Sequence, residues 1–218
     1  MAKLWIVPAP VGTTFAPAPG RDRLHGGNQR GRRRGPHVRE NRGRRRRERY
    51  NDPAMAPEPD PELFREAFGR FATGVAVITS ATATASGGMT ANALCSLSLD
   101  PLLALVCFEN NARTLSIVRE SGRFAVNVLS AHQEEVARVF ASKMPEAEKL
   151  QGVAHRFQAG VPIIEGALSW VVCSLRDLIA GGDHTIAIGQ VAAMDLGEGD
   201  PLVWYGGQYH DVRLRVER

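Results

Sequence analysis

An antiparallel β-barrel with a few flanking helices is the fold this sequence predicts, and three observations carry it. Apolar and polar residues alternate with period two, most clearly over residues 88–101. From Met89 to Leu99 the odd positions are Met, Ala, Ala, Cys, Leu and Leu, while the even positions to Asp100 are polar except Leu94. Helical periodicity is confined to a few short stretches. Many links between strands are too short for parallel crossovers, which need a dozen or more residues.

The elements follow in chain order. Residues 1–59 are rich in Pro, Gly and Arg, with runs such as Arg44-Arg45-Arg46-Arg47, and without a helical or strand period they predict a disordered tail. Asp60-Pro61 reads as a helix start, with a capping Asp and Pro in the first turn. Phe64, Ala67, Phe68 and Phe71 then form one apolar helical face. Residues 74–80 are a short β-branched strand, and residues 81–86 a small polar connection into the alternating strand. Residues 102–108 form a nearly continuous apolar strand, 112–120 a helix and 122–129 another strand. Ser130 with Gln133 makes a capping box for a helix to about Ser142. Residues 143–161 read as an irregular polar excursion. Two longer strands, 167–178 and 184–196, flank a hairpin turn at Ala180-Gly181-Gly182-Asp183, and 201–205 is the last strand.

Charge is divided unevenly. Of the 218 residues, the first sixty hold fourteen Lys/Arg against six Asp/Glu, so the net +4 conceals a mildly acidic remainder. That balance argues against a nucleic-acid-binding core. Cys95, Cys107 and Cys173 are far apart and form no CxxC, so they are expected reduced and buried, in a cytoplasmic protein. The apolar Leu4-Trp5-Ile6-Val7 is too short for a signal segment, and no uncharged run approaches membrane-spanning length. The sharp change at Met55-Ala56-Pro57 leads to the expectation that Met55 is the natural start and that residues 1–54 lie outside the working protein.

Three stretches could carry chemistry. The polar face of the alternating strand has no charge before Asp100 and begins at Gly87-Gly88, where a ligand could approach the backbone. Small neutral donors there suit a flat heteroaromatic ligand, although an ordinary half-buried strand has the same pattern. Glu109-Asn110-Asn111-Ala112-Arg113-Thr114 joins a buried strand to a helix, offering an Asn cap, free backbone N–H groups, an Arg and a Thr: an anion site, or a routine helix start. His184 stands at the hairpin turn beside Asp183. The sequence has no Walker A loop, no GxGxxG in a strand-to-helix context, no nucleophile elbow and no paired-histidine metal spacing.

Taken together in order, these stretches resemble the flavin reductase family, the small FMN- or FAD-binding split barrels that serve two-component monooxygenases. The resemblance covers roughly residues 60–210. Its segments are FREAFGRFATGVAVITS (64–80), GMTANALCSLSLDP (88–101), ARTLSIVRESGRFAVNVLS (112–130), FASK (140–143), PIIEGAL (162–168), GGDHTIAIGQV (181–191) and PLVWYGGQY (201–209). Leu102 departs from it, since many members carry a second proline there, and Asn110-Asn111 falls at a variable position.

The resemblance implies a mainly β, antiparallel split β-barrel over residues 60–213, usually a homodimer. It implies that Gly88, Met89, Thr90, Ala91, Asn92, Ala93 and Ser98 lie along the flavin, and that Cys107, Phe108 and Glu109 continue that wall. Arg113 and Thr114 match the positions that hold the flavin phosphate, and His184 matches a histidine near the nicotinamide. Phe140 and Lys143 match positions adjacent to the cofactor. The implied activity is hydride transfer from NADH or NADPH to FMN or FAD, with reduced flavin supplied to an oxygenase partner. A non-catalytic split-barrel cofactor carrier is the alternative, and a nucleic-acid binder acting through the Arg-rich tail a weaker one.

Overall fold

The computed structural model describes residues 58–212. The expected tail, with Met55 in it, lies outside the described residues apart from Glu58 and Pro59. The described residues divide into two units between Phe64 and Arg65. The first holds only the start of helix α1 (Pro61–Gly69), which Asp60 caps by accepting the Glu62 N–H at 2.9 Å. The expected apolar helical face is realised in part: α1 ends at Gly69, none of its residues is buried, and Phe71 lies beyond it, 70% exposed.

The second unit is built on strands β1 (Thr73–Gly74), β2 (Ala76–Ala81), β3 (Ser86–Ala91), β4 (Leu94–Leu99), β5 (Leu102–Glu109) and β6 (Arg123–Val128). To these are added β7 (His155–Gln158), β8 (Val161–Ile164), β9 (Ser169–Gly181), β10 (His184–Leu196), β11 (Leu202–Tyr205) and β12 (Gln208–Asp211). Every strand pairing is antiparallel, as the short links require. The main sheet has seven strands in the order β3-β2-β6-β9-β10-β5-β4.

Its two edges, β3 and β4, are consecutive in the chain, with only Asn92 and Ala93 between them. In a flat sheet six strand spacings would hold those edges roughly 29 Å apart. The three Cα–Cα steps from Ala91 to Leu94 span about 11 Å at most. The sheet is therefore curled until its edges approach. The stretch read as one alternating strand is in fact two, broken at Asn92-Ala93, the first half pairing with β2 and the second with β5.

Three more helices pack on this sheet: α2 (Arg113–Ser121), α3 (Glu134–Ala141) and α4 (Glu146–Gln151). Strand β2 is buried on both faces. Ala76 and Ile78 join Val106, Phe108, Leu115, Val118 and Phe124 in one cluster. Val77 joins Leu129, Ala137, Phe140, Leu150 and Trp204 in another. A strand covered on both sides reads as a continuous apolar run rather than an alternation.

Three expectations need correction. Residues 143–161 are not irregular: they contain α4 and most of the β7–β8 hairpin, turned at Ala159-Gly160 with φ of +49° and +83°. The six-residue α4 is too short and polar to show a period, and two of its residues, Lys149 and Leu150, are buried. β12 is an additional strand, turned back from β11 at Gly206-Gly207, both at positive φ. The apolar face of β4 is not core: Cys95 and Leu97 are exposed, and Leu99 is 84% exposed. β4 is an edge strand, and no described residue covers that face.

One buried polar knot ties β2, β6 and β8 together. The Asn127 amide donates to the Val77 carbonyl at 3.0 Å and to Thr79 Oγ1 at 3.1 Å, and its Oδ1 accepts the Ile164 N–H at 2.9 Å. Thr79 in turn donates to the Pro162 carbonyl. Asn127→Ala leaves a buried N–H and a buried carbonyl without these partners, so it should cost roughly 2–4 kcal/mol of stability, read by chemical denaturation. A loss below about 0.5 kcal/mol, the range of ordinary surface changes, would contradict this role.

Candidate functional site

Where the sheet edges meet, a cavity of about 350 Å³ opens between β3, β5, the first turn of α2, the α3–α4 segment and the β9–β10 turn. Its volume lies at the lower end of the range for small-molecule pockets. Most of the expected site residues line it: Met89, Thr90, Ala91, Asn92 and Ala93 from the broken strand, then Cys107 and Glu109 from β5. Arg113, Thr114, Phe140, Lys143 and His184 complete that set. Gly88, Ser98 and Phe108 are outside the lining.

Each of those three has another local job. Phe108 is fully buried in the core. Ser98 Oγ accepts the Asp100 N–H at 3.2 Å. A Cβ on Gly88 would come within 2.7 Å of the Ile78 carbonyl and 2.9 Å of the Phe140 ring, so the close approach that needs glycine is made by the protein itself.

The neutral wall is set by backbone and small side chains. Thr90 is fully buried and donates to the Ala137 carbonyl at 2.6 Å, so the expected polar face is here covered by α3. The Asn92 amide donates to Thr73 Oγ1 at 3.2 Å, and the Ala93 carbonyl accepts the Cys107 N–H at 2.9 Å. The Cys107 thiol is raised above its ordinary pKa by burial, with a further contribution from Cys95, and so stays neutral at pH 7.

The Asn cap expected for α2 is absent. Its N-cap is Ala112, with no side-chain cap. Asn110 instead fastens the β9–β10 turn, donating to the Gly182 carbonyl at 3.1 Å and accepting from Thr185 Oγ1 at 2.7 Å. That turn carries His184, whose Nδ1 is 2.7 Å from Asp183 Oδ1 and whose side chain is only 15% exposed. His184 is paired in register with Glu109, which places it on the same rim as β5.

The opposite end is charged. Arg113 donates through Nη2 to the carbonyls of Met144 at 2.7 Å and Lys143 at 3.2 Å. Its Nε lies 3.4 Å from Glu146 Oε1. Glu146 and Lys149, both on α4, were not foreseen from the sequence, although both line the cavity. Lys149 is nearly fully buried and gives Nζ hydrogen bonds to Glu146 at 3.0 Å and to the carbonyls of Gly88 and Phe140 at 3.3 Å. A Lys at i+3 from a Glu was the available signal, but it is common on solvated helices.

Arg113, Thr114 and the first turn of α2 thus offer a phosphate-sized anion hydrogen bonds and positive potential. The Met89–Ala93 and Cys107 wall offers backbone groups and apolar surface to a planar ring. That donor set fits a flavin mononucleotide unit.

Comparison with known proteins agrees. The family model described as "Flavin reductase like domain" matches residues 68–213. A probable flavin reductase of Rhizobium meliloti (strain 1021) is 41% identical over 157 residues, 71% of this chain and 50% of that protein, so the chain spans half its length. The reductase subunit HsaB of a flavin-dependent monooxygenase from Mycobacterium tuberculosis (strain CDC 1551 / Oshkosh) is 36% identical over 162 residues, 72% of this chain and 86% of that protein. Among solved structures, the NADH:FAD oxidoreductase SgcE6 of Streptomyces globisporus, in complex with NAD and FAD fragments, superposes with a TM-score of 0.68 at 33% identity, covering 74% of this chain and all of that one. The family match, spanning most of the described residues, and a curved antiparallel sheet whose meeting edges frame a ring-and-phosphate cavity lead to one assignment: this chain belongs to the flavin reductase family.

Proposed function

We propose that the chain is an NAD(P)H:flavin oxidoreductase whose cavity takes the flavin ring along Met89–Ala93 and Cys107 and the flavin phosphate at Arg113 and Thr114. The observation that carries this is the convergence, on one cavity, of a neutral backbone wall, a helix first turn with an Arg and a Thr, and a turn-borne histidine. Bound flavin and nicotinamide supply the hydride acceptor and donor.

The chain's own part is to bind and align. The fixed wall presents backbone groups to the ring edge, Arg113 and Thr114 hold the phosphate, and His184, steadied by Asp183, borders the space for the nicotinamide. Burial on the sheet side excludes water from the ring. Reduced flavin would pass to an oxygenase component, in line with the monooxygenase subunit among the relatives.

The same reading includes a split barrel over residues 60–213, a cytoplasmic location and a homodimer. For the homodimer, the support is the uncovered apolar surface of Leu97, Leu99, Leu102, Met194 and Leu196. Among the described residues no helix is long and apolar enough to cross a membrane.

Arg113→Ala should weaken FMN far more than riboflavin, by about ten- to a hundredfold in Kd, the value of roughly 1.5–3 kcal/mol for a hydrogen bond to a charged group. Flavin fluorescence titration reads it, and an equal loss for both flavins would place Arg113 away from the phosphate.

His184→Ala should raise the KM for NAD(P)H or slow flavin reduction roughly tenfold while leaving oxidised-flavin affinity nearly unchanged. Loss of flavin affinity with unaltered nicotinamide kinetics would contradict that role.

A further inference from the structure

The charged end of the cavity already contains an anion. Glu146 Oε2 accepts the Gly88 N–H at 2.9 Å and lies 3.4 Å from Thr114 Oγ1. Its Oε1 accepts from Lys149 Nζ at 3.0 Å and lies 3.4 Å from Arg113 Nε. Two side-chain cations, a hydroxyl and a backbone N–H thus converge on one carboxylate, from β3, α2 and α4. Both oxygens face donors, so each accepts hydrogen bonds from the protein. The Glu146 side chain is 13% exposed and lines the cavity, so it is neither sealed in the core nor a solvated surface charge.

From this we infer that Glu146 is a specificity-determining residue of the phosphate end: an internal anion that occupies donors a flavin phosphate would otherwise recruit, and so holds phosphate-bearing flavin loosely. The inference rests on the flavin reading above and adds to it. An arriving phosphate meets Arg113 and Lys149 with part of their charge already neutralised, and it meets a like charge at short range. Arg113 is further engaged by the Lys143 and Met144 carbonyls, so the site keeps its shape without a ligand. A site that is pre-formed yet partly self-neutralised suits a flavin that must leave after reduction.

The test is flavin affinity of the full chain, with FMN and riboflavin titrated against wild type, Glu146→Gln and Glu146→Asp. Removing the charge leaves Lys149 and Arg113 short of a counter-ion that only FMN can supply. Glu146→Gln should therefore lower the Kd for FMN about tenfold and change that for riboflavin less than about twofold. The Tm gain from FMN over that from riboflavin should also be larger in the Gln variant than in wild type, whereas loss of a purely structural strut would leave that difference unchanged.

FMN and riboflavin shifting together, or FMN binding weakening, would overturn the inference and leave the phosphate site standing. Wild type that does not distinguish FMN from riboflavin, with Arg113→Ala altering neither, would overturn both readings. Should the Gln variant fail to fold, Glu146→Asp decides. One methylene shorter, its carboxylate is drawn back toward α4, the helix it shares with Lys149, and away from Arg113 and Thr114 on α2, so selective tightening of FMN supports the inference and unchanged or weaker FMN binding overturns it.

Discussion

Asn92 and Ala93 link the two edges of a seven-stranded sheet, and the rest of the structure depends on that two-residue connection. A sheet with adjacent strands at either rim cannot lie flat, because the link is far shorter than the width it must bridge. Curling brings β3 and β5 to the same place, and β5 feeds directly into the first turn of α2. The Ala93 carbonyl meets the Cys107 N–H across this junction at 2.9 Å. One covalent constraint therefore sets both the neutral wall of the cavity and its distance from Arg113.

The second determinant is electrostatic. Lys149 is buried, and among the described residues its hydrogen bonds go to two backbone carbonyls and to one carboxylate, that of Glu146. Removing one partner of a buried ion pair costs about 3–5 kcal/mol, because the other charge is left without compensation. The pair joins α4 to β3 and to the end of α3, and so holds the segment that carries Lys143 and Met144 against Arg113. In the proposed reading, stability and ligand recognition share the same atoms. A charged cavity end built this way is already formed without a ligand, and a pre-formed site lowers the ordering cost of binding.

Much of this architecture was legible in the sequence, and the reasons are local. The Ser130–Gln133 capping box is present, with the Ser130 N–H donating to Gln133 Oε1 at 3.1 Å. The β9–β10 hairpin turns at Gly182, at φ +69°, within the Gly-Gly-Asp stretch that signalled it. β3 and β4 are strands as the alternation predicted, but their burial does not alternate, and the pattern could not show that the strand changes partners at Asn92, since alternation does not report which neighbour a strand has. Alternation likewise put Leu97 and Leu99 on one apolar face, although no described residue covers it. The site was legible where a run of small residues or a strand-to-helix junction marked it. It was illegible at α4, where a six-residue, mostly polar helix supplies a buried Lys and a carboxylate whose importance comes from contacts 32 to 61 positions away in sequence. Asn110 shows the same limit: a capping residue by type, it bonds a turn 72 residues downstream.

Direct hydride transfer in this cavity requires a nicotinamide aligned with the flavin. Anaerobic rapid mixing of the FMN-loaded protein with NADH or NADPH, carrying hydrogen or deuterium at the transferring C4 position, measures that step. Such alignment should give single-turnover loss of the oxidised-flavin absorbance, slower with deuterium than with hydrogen. Flavin that binds in the cavity but keeps its oxidised spectrum with either nucleotide would contradict it.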